Sequence, residues 1–144
     1  MKFNTKTRYG IRAVLEIALN KGQDGVFQKD IARNQNISLK YLDHIIHSLK
    51  AARLIMNVRG KKSGYTLTRP ASEITIYDIH SAFEPGICVV GCLSEGAHCE
   101  RKEHCSVRGF YGELNNRIIT YLKEVTINDL ENDPKFLGNP VEVF

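Results

Sequence analysis

The apolar positions of the chain fall into two periods. Ile11, Val14, Leu15, Ala18 and Leu19 recur at helical spacing and predict a helix over residues 5–20. Turn residues follow at Lys21-Gly22 and Asp24-Gly25, then a short helix over residues 27–34 with Ile31 and Ala32 inward. A polar break, Asn34-Gln35-Asn36, leads to Ser38, which caps a third helix over residues 39–52. Leu39, Leu42, Ile45, Ile46 and Leu49 make its apolar stripe, and Lys40, Asp43, His44, His47 and Lys50 fall mainly on the other side. Two short β segments, 54–58 and 65–68, flank Arg59-Gly60-Lys61-Lys62-Ser63-Gly64, a hairpin signal with cations at its tip. Gly60 and Gly64 are expected to give that tip positive φ and a close approach to a partner.

Thr75 and Asp78 form a capping-box signature ahead of a fourth helix over residues 76–83. Periodicity then fails through residues 84–106, where Pro85, Gly86, Gly91 and Gly96 fall together with all four cysteines. The helical period returns over 107–125, with Phe110, Leu114, Ile118, Tyr121, Leu122 and Val125 as one stripe. Such a stripe needs cover: a second copy of the chain is the economical choice, packing on its own domain the other. Thr126 caps a last short helix, and residues 131–144 read as a flexible tail. The expected fold is mainly α with a small β-wing: a winged helix-turn-helix over 1–83, a cysteine-rich loop over 84–106, and a long dimerisation helix over 107–130.

Charge sharpens this picture. Residues 1–62 carry a net +9 and residues 63–144 a net −5, within an overall +4. A basic half that also holds a capped helix and a basic hairpin fits a polyanion, and double-stranded DNA is the usual one. A capped helix fits the major groove, where base edges are distinguishable. Ser38, Lys40, Tyr41, Asp43 and His44 lie on its first turns. Lys40 can donate to guanine, Asp43 can accept from cytosine, and the Tyr41 hydroxyl can reach a phosphate. Arg59, Gly60 and Lys61 would meet the backbone or minor groove. No nucleophile–base pair, phosphate loop or C-x2-C redox motif supports an enzyme. No apolar stretch is long enough to span a membrane and the N-terminus lacks a secretory signal, so a cytoplasmic location is expected.

The cysteines are spaced Cys88-x3-Cys92-x6-Cys99-x5-Cys105. Without a C-x2-C knuckle, thiols strung along a glycine-bearing loop suit an object larger than one zinc ion, and an iron–sulfur cluster is the leading reading. Zinc and a metal-free thiol switch are the alternatives. The nuclearity, 2Fe–2S or 4Fe–4S, is open on spacing alone.

Over nearly its whole length the chain resembles the winged-helix regulators typified by IscR, NsrR and CymR. The motifs are Thr7-Arg8-Tyr9-Gly10, Ile37-Ser38-Leu39-Lys40-Tyr41-Leu42, Val58-Arg59-Gly60 with Gly64-Tyr65, and Ile127-Asn128-Asp129-Leu130. The resemblance implies a homodimeric repressor on a pseudo-palindromic operator, with Ser38, Lys40, Tyr41, Asp43, Arg59 and Gly60 where relatives touch DNA. It also implies Cys92, Cys99 and Cys105 as cluster ligands, although the first gap here is one residue longer than is common. The fourth ligand departs from the pattern. The histidine that some members place three residues after the third cysteine is Arg108 here, and the aspartate that others place early in the first helix is Arg8. Cys88 is the leading candidate for that position. His98, His104, a glutamate of a partner subunit and an exogenous ligand are the others. The sensed signal would be oxygen, nitric oxide, iron supply or redox state.

Overall fold

A computed structural model describes residues 2–60 and 62–138. The first helix, α1 (Thr5–Leu19), begins where Asn4 Oδ1 accepts the Thr7 N–H at 2.7 Å. Its buried face, including Ala13, Val14, Ile17 and Ala18, is the spine of the core. Against it pack α2 (Gln28–Gln35) and α3 (Leu39–Ala51). Asn36 adopts the left-handed conformation at φ 52° between them, a conformation asparagine tolerates better than most side chains. Ser38 caps α3 as expected, its Oγ accepting the Tyr41 N–H.

Burial of α3 follows the period except at its first residue. Leu42, Ile45, Ile46 and Leu49 are buried, while Leu39, expected in the same stripe, is 53% exposed. It is the first residue of the helix, one turn before the buried run begins at Leu42. The expected polar side faces solvent: Lys40, Asp43, His44, His47 and Lys50 are all exposed.

The wing is an antiparallel pair, β1 (Ile55–Asn57) and β2 (Tyr65–Leu67), in the register Ile55↔Leu67, Met56↔Thr66, Asn57↔Tyr65. Val26 bridges to Tyr65 and anchors the pair to the turn after α1. The wing glycines do different work. Gly60 takes φ +91°, as the tip requires. Gly64 does not have positive φ; it is needed for space instead. A Cβ there would lie 2.5 Å from the Asp24 carbonyl oxygen and 2.5 Å from the Gly25 carbonyl carbon.

Two capping boxes face one another in the second half. Thr75 and Asp78 cap α4 (Ile76–Ser81), and Thr126 and Asp129 cap α6 (Ile127–Asn132). A β-bridge joins Thr75 to Thr126, with the Ile76 N–H donating to the Val125 carbonyl and the Ile127 N–H to the Ile74 carbonyl, both at 2.9 Å. The chain leaving the long helix α5 (Ser106–Glu124) is thereby pinned back onto the domain, where α6 packs on α1. Glu131 and Asn132, expected in the tail, close α6, and Phe136 packs against the core. The rest of the expected tail from residue 139 on lies outside the described residues, as does Lys61.

The stripe of α5 divides. Leu122 and Val125 are buried in the domain, whereas Val107 and Phe110 are 61% and 62% exposed, with Leu114 and Tyr121 exposed as well. No helix among the described residues is long and apolar enough to cross a membrane.

The close approach at Gly64 yields a direct test. Gly64→Ala is expected to destabilise the fold by about 1–3 kcal/mol through overpacking against backbone that cannot retreat. Gly22→Ala, which meets nothing within 4 Å, should be nearly neutral. Urea unfolding followed by circular dichroism checks both, with the midpoint moving and the slope unchanged.

Candidate nucleic-acid interface and cysteine loop

The exposed face of α3 is tied to its surroundings by polar contacts at both ends. Near the start of the helix, the Gln28 amide of α2 donates to the Asp43 carboxylate, and the Tyr65 hydroxyl of β2 donates to Gln28 Oε1 at 3.4 Å. At the far end, Lys50 Nζ donates to Asn57 Oδ1 at 2.8 Å, and Asn57 Nδ2 donates to the Ser63 carbonyl at 3.2 Å. The wing tip is closed by Ser63, whose Oγ accepts the Arg59 N–H and donates to the Gly60 carbonyl, each at 2.8 Å. Two polar chains therefore tie α3 to its surroundings, one through α2 to β2 and one through β1 to the wing tip. Gln28 and Asn57 were not legible as parts of them from sequence, because their bonds to Asp43, Tyr65 and Lys50 join residues of separate elements.

Below this surface lies a buried carboxylate. Glu16 of α1, 8% exposed, accepts from Asn34 Nδ2 at 2.6 Å, Gln35 Nε2 at 2.7 Å and Asn20 Nδ2 at 3.3 Å. Arg12 donates to Gln35 Oε1 at 3.0 Å and to the Gln35 carbonyl, and its guanidinium lies 5.1 Å from the Tyr9 ring centroid. Tyr9 meets Tyr41 of α3 edge to face, with ring centroids 5.7 Å apart. Glu16 and Arg12 thus hold the polar turn that aims α3. The polar turn at Asn34-Gln35 was legible in the sequence; its link back to Glu16 was not.

Ser38, Lys40, Asp43, His44, Arg59 and Gly60 are all exposed, and Tyr41 is half-buried. Arg59 lies 3.9 Å from Asp24 Oδ1, but both side chains are about three-quarters exposed, so this pair holds the arginine weakly. Arg59 remains available to another anion.

The cysteine loop is a run of turns laid over α5. Cys92 sits in the 3₁₀ turn Gly91–Leu93, which packs against α5, and Cys99 follows in an irregular stretch before the 3₁₀ turn Lys102–His104. Cys105 is the N-cap of α5, its Sγ accepting the Arg108 N–H at 3.3 Å. The Val89 N–H donates to Asn115 Oδ1 at 2.9 Å and fastens the loop entry to the middle of α5. All four cysteines are free thiols; Cys92, Cys99 and Cys105 are half-buried, Cys88 is exposed, and His98 and His104 are exposed. Among the described residues no three His, Cys, Asp or Glu side chains converge closely enough to hold a metal ion. The donor set suits an iron–sulfur cluster in kind: soft thiols on one loop, with the buried Arg108 Nε lacking an acceptor three residues beyond Cys105. As placed, the thiols are not gathered. Cys88 points elsewhere in the fold, lining a small cavity with Phe3, His80 and Glu84.

A helix-turn-helix with a polar recognition face, a basic wing and a long appended helix defines a winged-helix transcriptional regulator. Residues 3–133 match the family model described as "Rrf2: Iron-dependent Transcriptional regulator", and the chain belongs to the Rrf2 family. It is 36% identical over 133 residues to protein rrf2 of Nitratidesulfovibrio vulgaris, covering 92% of this chain and 89% of that one. It is 31% identical over 137 residues to the HTH-type transcriptional regulator IscR of Escherichia coli, covering 95% and 84%. Among solved structures, CymR, the global cysteine regulator of B. subtilis, matches with a TM-score of 0.73 at 28% identity, covering 90% of this chain and 95% of that one. T. potens IscR matches with a TM-score of 0.73 at 27% identity, covering 99% and 94%. These relatives are transcriptional regulators, as the sequence reading expected of a non-enzymatic chain.

The network between wing and recognition helix is open to titration. Burial raises the Tyr65 pKa above the usual tyrosine range; the Asp43 carboxylate raises it further, and the hydrogen bond with Asn57 opposes both. The folded state holds the phenol proton more tightly than the unfolded state. Its contribution to stability is therefore full below the ordinary tyrosine pKa and is lost as pH rises through the raised value. Asp43→Asn should bring the Tyr65 ionisation back toward ordinary tyrosine, read by ultraviolet difference titration with Tyr65→Phe to assign the signal.

Proposed function

We propose that this regulator binds a pseudo-palindromic DNA operator as a homodimer, acting as a repressor by occluding the promoter. The observation that carries this is the pair of polar chains that tie α3 to the wing, Asp43 through Gln28 to Tyr65 and Lys50 through Asn57 to the wing tip. It presents recognition helix and wing as one surface. Ser38, Lys40, Tyr41, Asp43 and His44 read the major groove, and Arg59, Gly60 and Lys61 take the backbone or minor groove. Asp43 is held by Gln28, so it meets a base already oriented, which favours cytosine as an amine donor and disfavours a phosphate. The exposed row Val107, Phe110, Leu114 and Tyr121 on α5 supplies the dimer seam. Two copies so joined set their recognition helices about one DNA turn apart, on the order of 34–36 Å.

The same reading assigns Cys92, Cys99 and Cys105 as ligands of an iron–sulfur cluster. Bound there, a cluster supplies a centre responsive to redox state, oxygen, nitric oxide or iron supply. Cys105 caps the dimer helix and the loop entry is fastened to Asn115, so any rearrangement of the loop bears directly on α5. Regulation by thiol oxidation without a cluster is the second reading, favoured by the ungathered thiols.

Two measurements test these assignments. In fluorescence anisotropy with duplexes from the chain's own upstream region, Lys40→Ala is expected to cost about 1–3 kcal/mol and relax sequence preference, while Arg59→Ala weakens binding to all duplexes and lowers the salt slope by about 1. Unchanged affinity in both variants would refute the interface. Anaerobically purified protein is expected to absorb in the visible with stoichiometric iron and sulfide, and to bleach in Cys92→Ser, Cys99→Ser and Cys105→Ser. A colourless, iron-free protein whose DNA affinity changes on thiol oxidation would establish the second reading instead.

A further inference from the structure

Leu39 breaks the burial pattern that the other apolar residues of its stripe follow. Leu42, Ile45, Ile46 and Leu49 are buried, whereas Leu39 is 53% exposed. It belongs neither to the buried core cluster nor to the partly buried apolar residues packed against that cluster, which do include its neighbour Tyr41. Among the described residues it is the one large apolar side chain that α3 exposes. The residues around it on the helix are polar: Ser38, Lys40, Asp43, His44 and His47 are exposed as well. One apolar side chain among polar ones makes no patch for a protein partner. The net +9 of residues 1–62 favours a polyanion instead.

Position decides what Leu39 can meet. It is the first residue of α3 after the Ser38 cap. In a helix that enters the major groove, the N-terminal residues contact base edges. Leu39 carries no polar atom on its side chain, so a base donor or acceptor pressed against it goes unsatisfied. The apolar feature that the major groove presents is the C5-methyl of thymine. Leu39 and Asp43 are four residues apart, which makes them neighbours on one helix face with about 5–6 Å between Cβ atoms. Successive bases of a strand are about 3.4 Å apart along the axis. Two side chains at that spacing meet base pairs one or two steps apart. The Asp43 carboxylate is held by the Gln28 amide, so the partner of Leu39 on this face is already fixed.

We propose that Leu39 is a specificity-determining residue that packs on the C5-methyl of a thymine, within two base steps of the cytosine that Asp43 reads. The proposal rests on the reading of α3 as the recognition helix and adds an apolar contact to its polar ones. Asp43 selects an amine donor, and Leu39 selects a methyl group that cytosine lacks. Together they distinguish the two pyrimidines at two nearby positions of each half-site.

Deoxyuridine in place of thymine removes only that methyl and leaves base pairing unchanged. A duplex selected from a random pool by the full-length chain, purified anaerobically, is remade with each thymine of one half-site replaced in turn, and binding is read by fluorescence anisotropy. For the wild-type chain, one of these replacements should weaken binding about fourfold, the factor that burial of one methylene-sized group contributes. Leu39→Ala should bind the parent duplex more weakly by about the same factor and be indifferent to that replacement. Leu39→Met, apolar and of similar volume, should keep the sensitivity. Leu39 is exposed and alanine favours a helix, so the alanine variant keeps the fold. Asp43→Asn should change the preferred base at a pair no more than two steps from the sensitive thymine. A selected half-site without thymine, a wild-type chain indifferent to every deoxyuridine, or a Leu39→Ala chain that loses the same factor at the same position overturns the proposal and leaves sequence-selective binding standing. An Asp43→Asn effect only at more distant pairs, or at none, overturns the placement beside Asp43. Failure of the wild-type chain to select any sequence overturns both the proposal and the reading of α3 on which it rests.

Discussion

The orientation of the recognition helix depends on one buried carboxylate. Glu16 sits inside α1 yet bonds outward to Asn34 and Gln35, the residues that end α2 and begin the turn into α3. A hydrogen bond to a charged group contributes about 1.5–3 kcal/mol, and an unpaired buried carboxylate costs at least as much. The turn is therefore held in one geometry rather than several. Arg12 reinforces it from the next turn of α1 through Gln35, and Tyr9 carries the same constraint to Tyr41. α1 thus works as a frame as well as a core helix: its apolar face binds the domain together and its polar residues aim the helix that would enter DNA.

Much of this was legible in the chain. Periodicity located the helices to within two residues at most ends, since one apolar face had to find one core. Ser38, Thr75 and Thr126 announced helix starts because an orphan backbone N–H needs a local acceptor, which is a short-range rule. What escaped was long-range. Leu39 matches the stripe of α3 but, as the first residue of the helix, stays more than half exposed. Gly64 carried the right residue for the wrong reason: its lack of a Cβ makes room for the Asp24–Gly25 backbone, and a positive φ is not involved. The bonds of Glu16 to Asn34 and Gln35 and of Gln28 to Asp43 gave no local signal, because they span 18, 19 and 15 residues. His80, whose Nδ1 is buried without a partner, gave no such signal either.

The second half of the molecule is organised around a return. The paired capping boxes at Thr75 and Thr126 lock the end of α5 to the domain, while its first turns carry an exposed apolar face and a cysteine cap. One helix is rigid at one end and available at the other. In the proposed regulation an event in the cysteine loop would act on the available end, and the helix would carry it toward the domain that holds α3. In the proposed dimer small displacements would suffice, because it would meet two half-sites at once, with a spacing fixed by DNA geometry.

As proposed, α3 and the wing form one DNA-reading surface, presented twice by a dimer. Selection of bound duplexes from a random pool, at near-physiological salt, puts this to the test. Enrichment of two-fold-symmetric sites with half-site centres about one helical turn apart is expected, and loss of that enrichment when Lys40 is replaced by alanine. Recovery of unrelated duplexes with no shared sequence, or of a single asymmetric half-site bound by one chain, would contradict it.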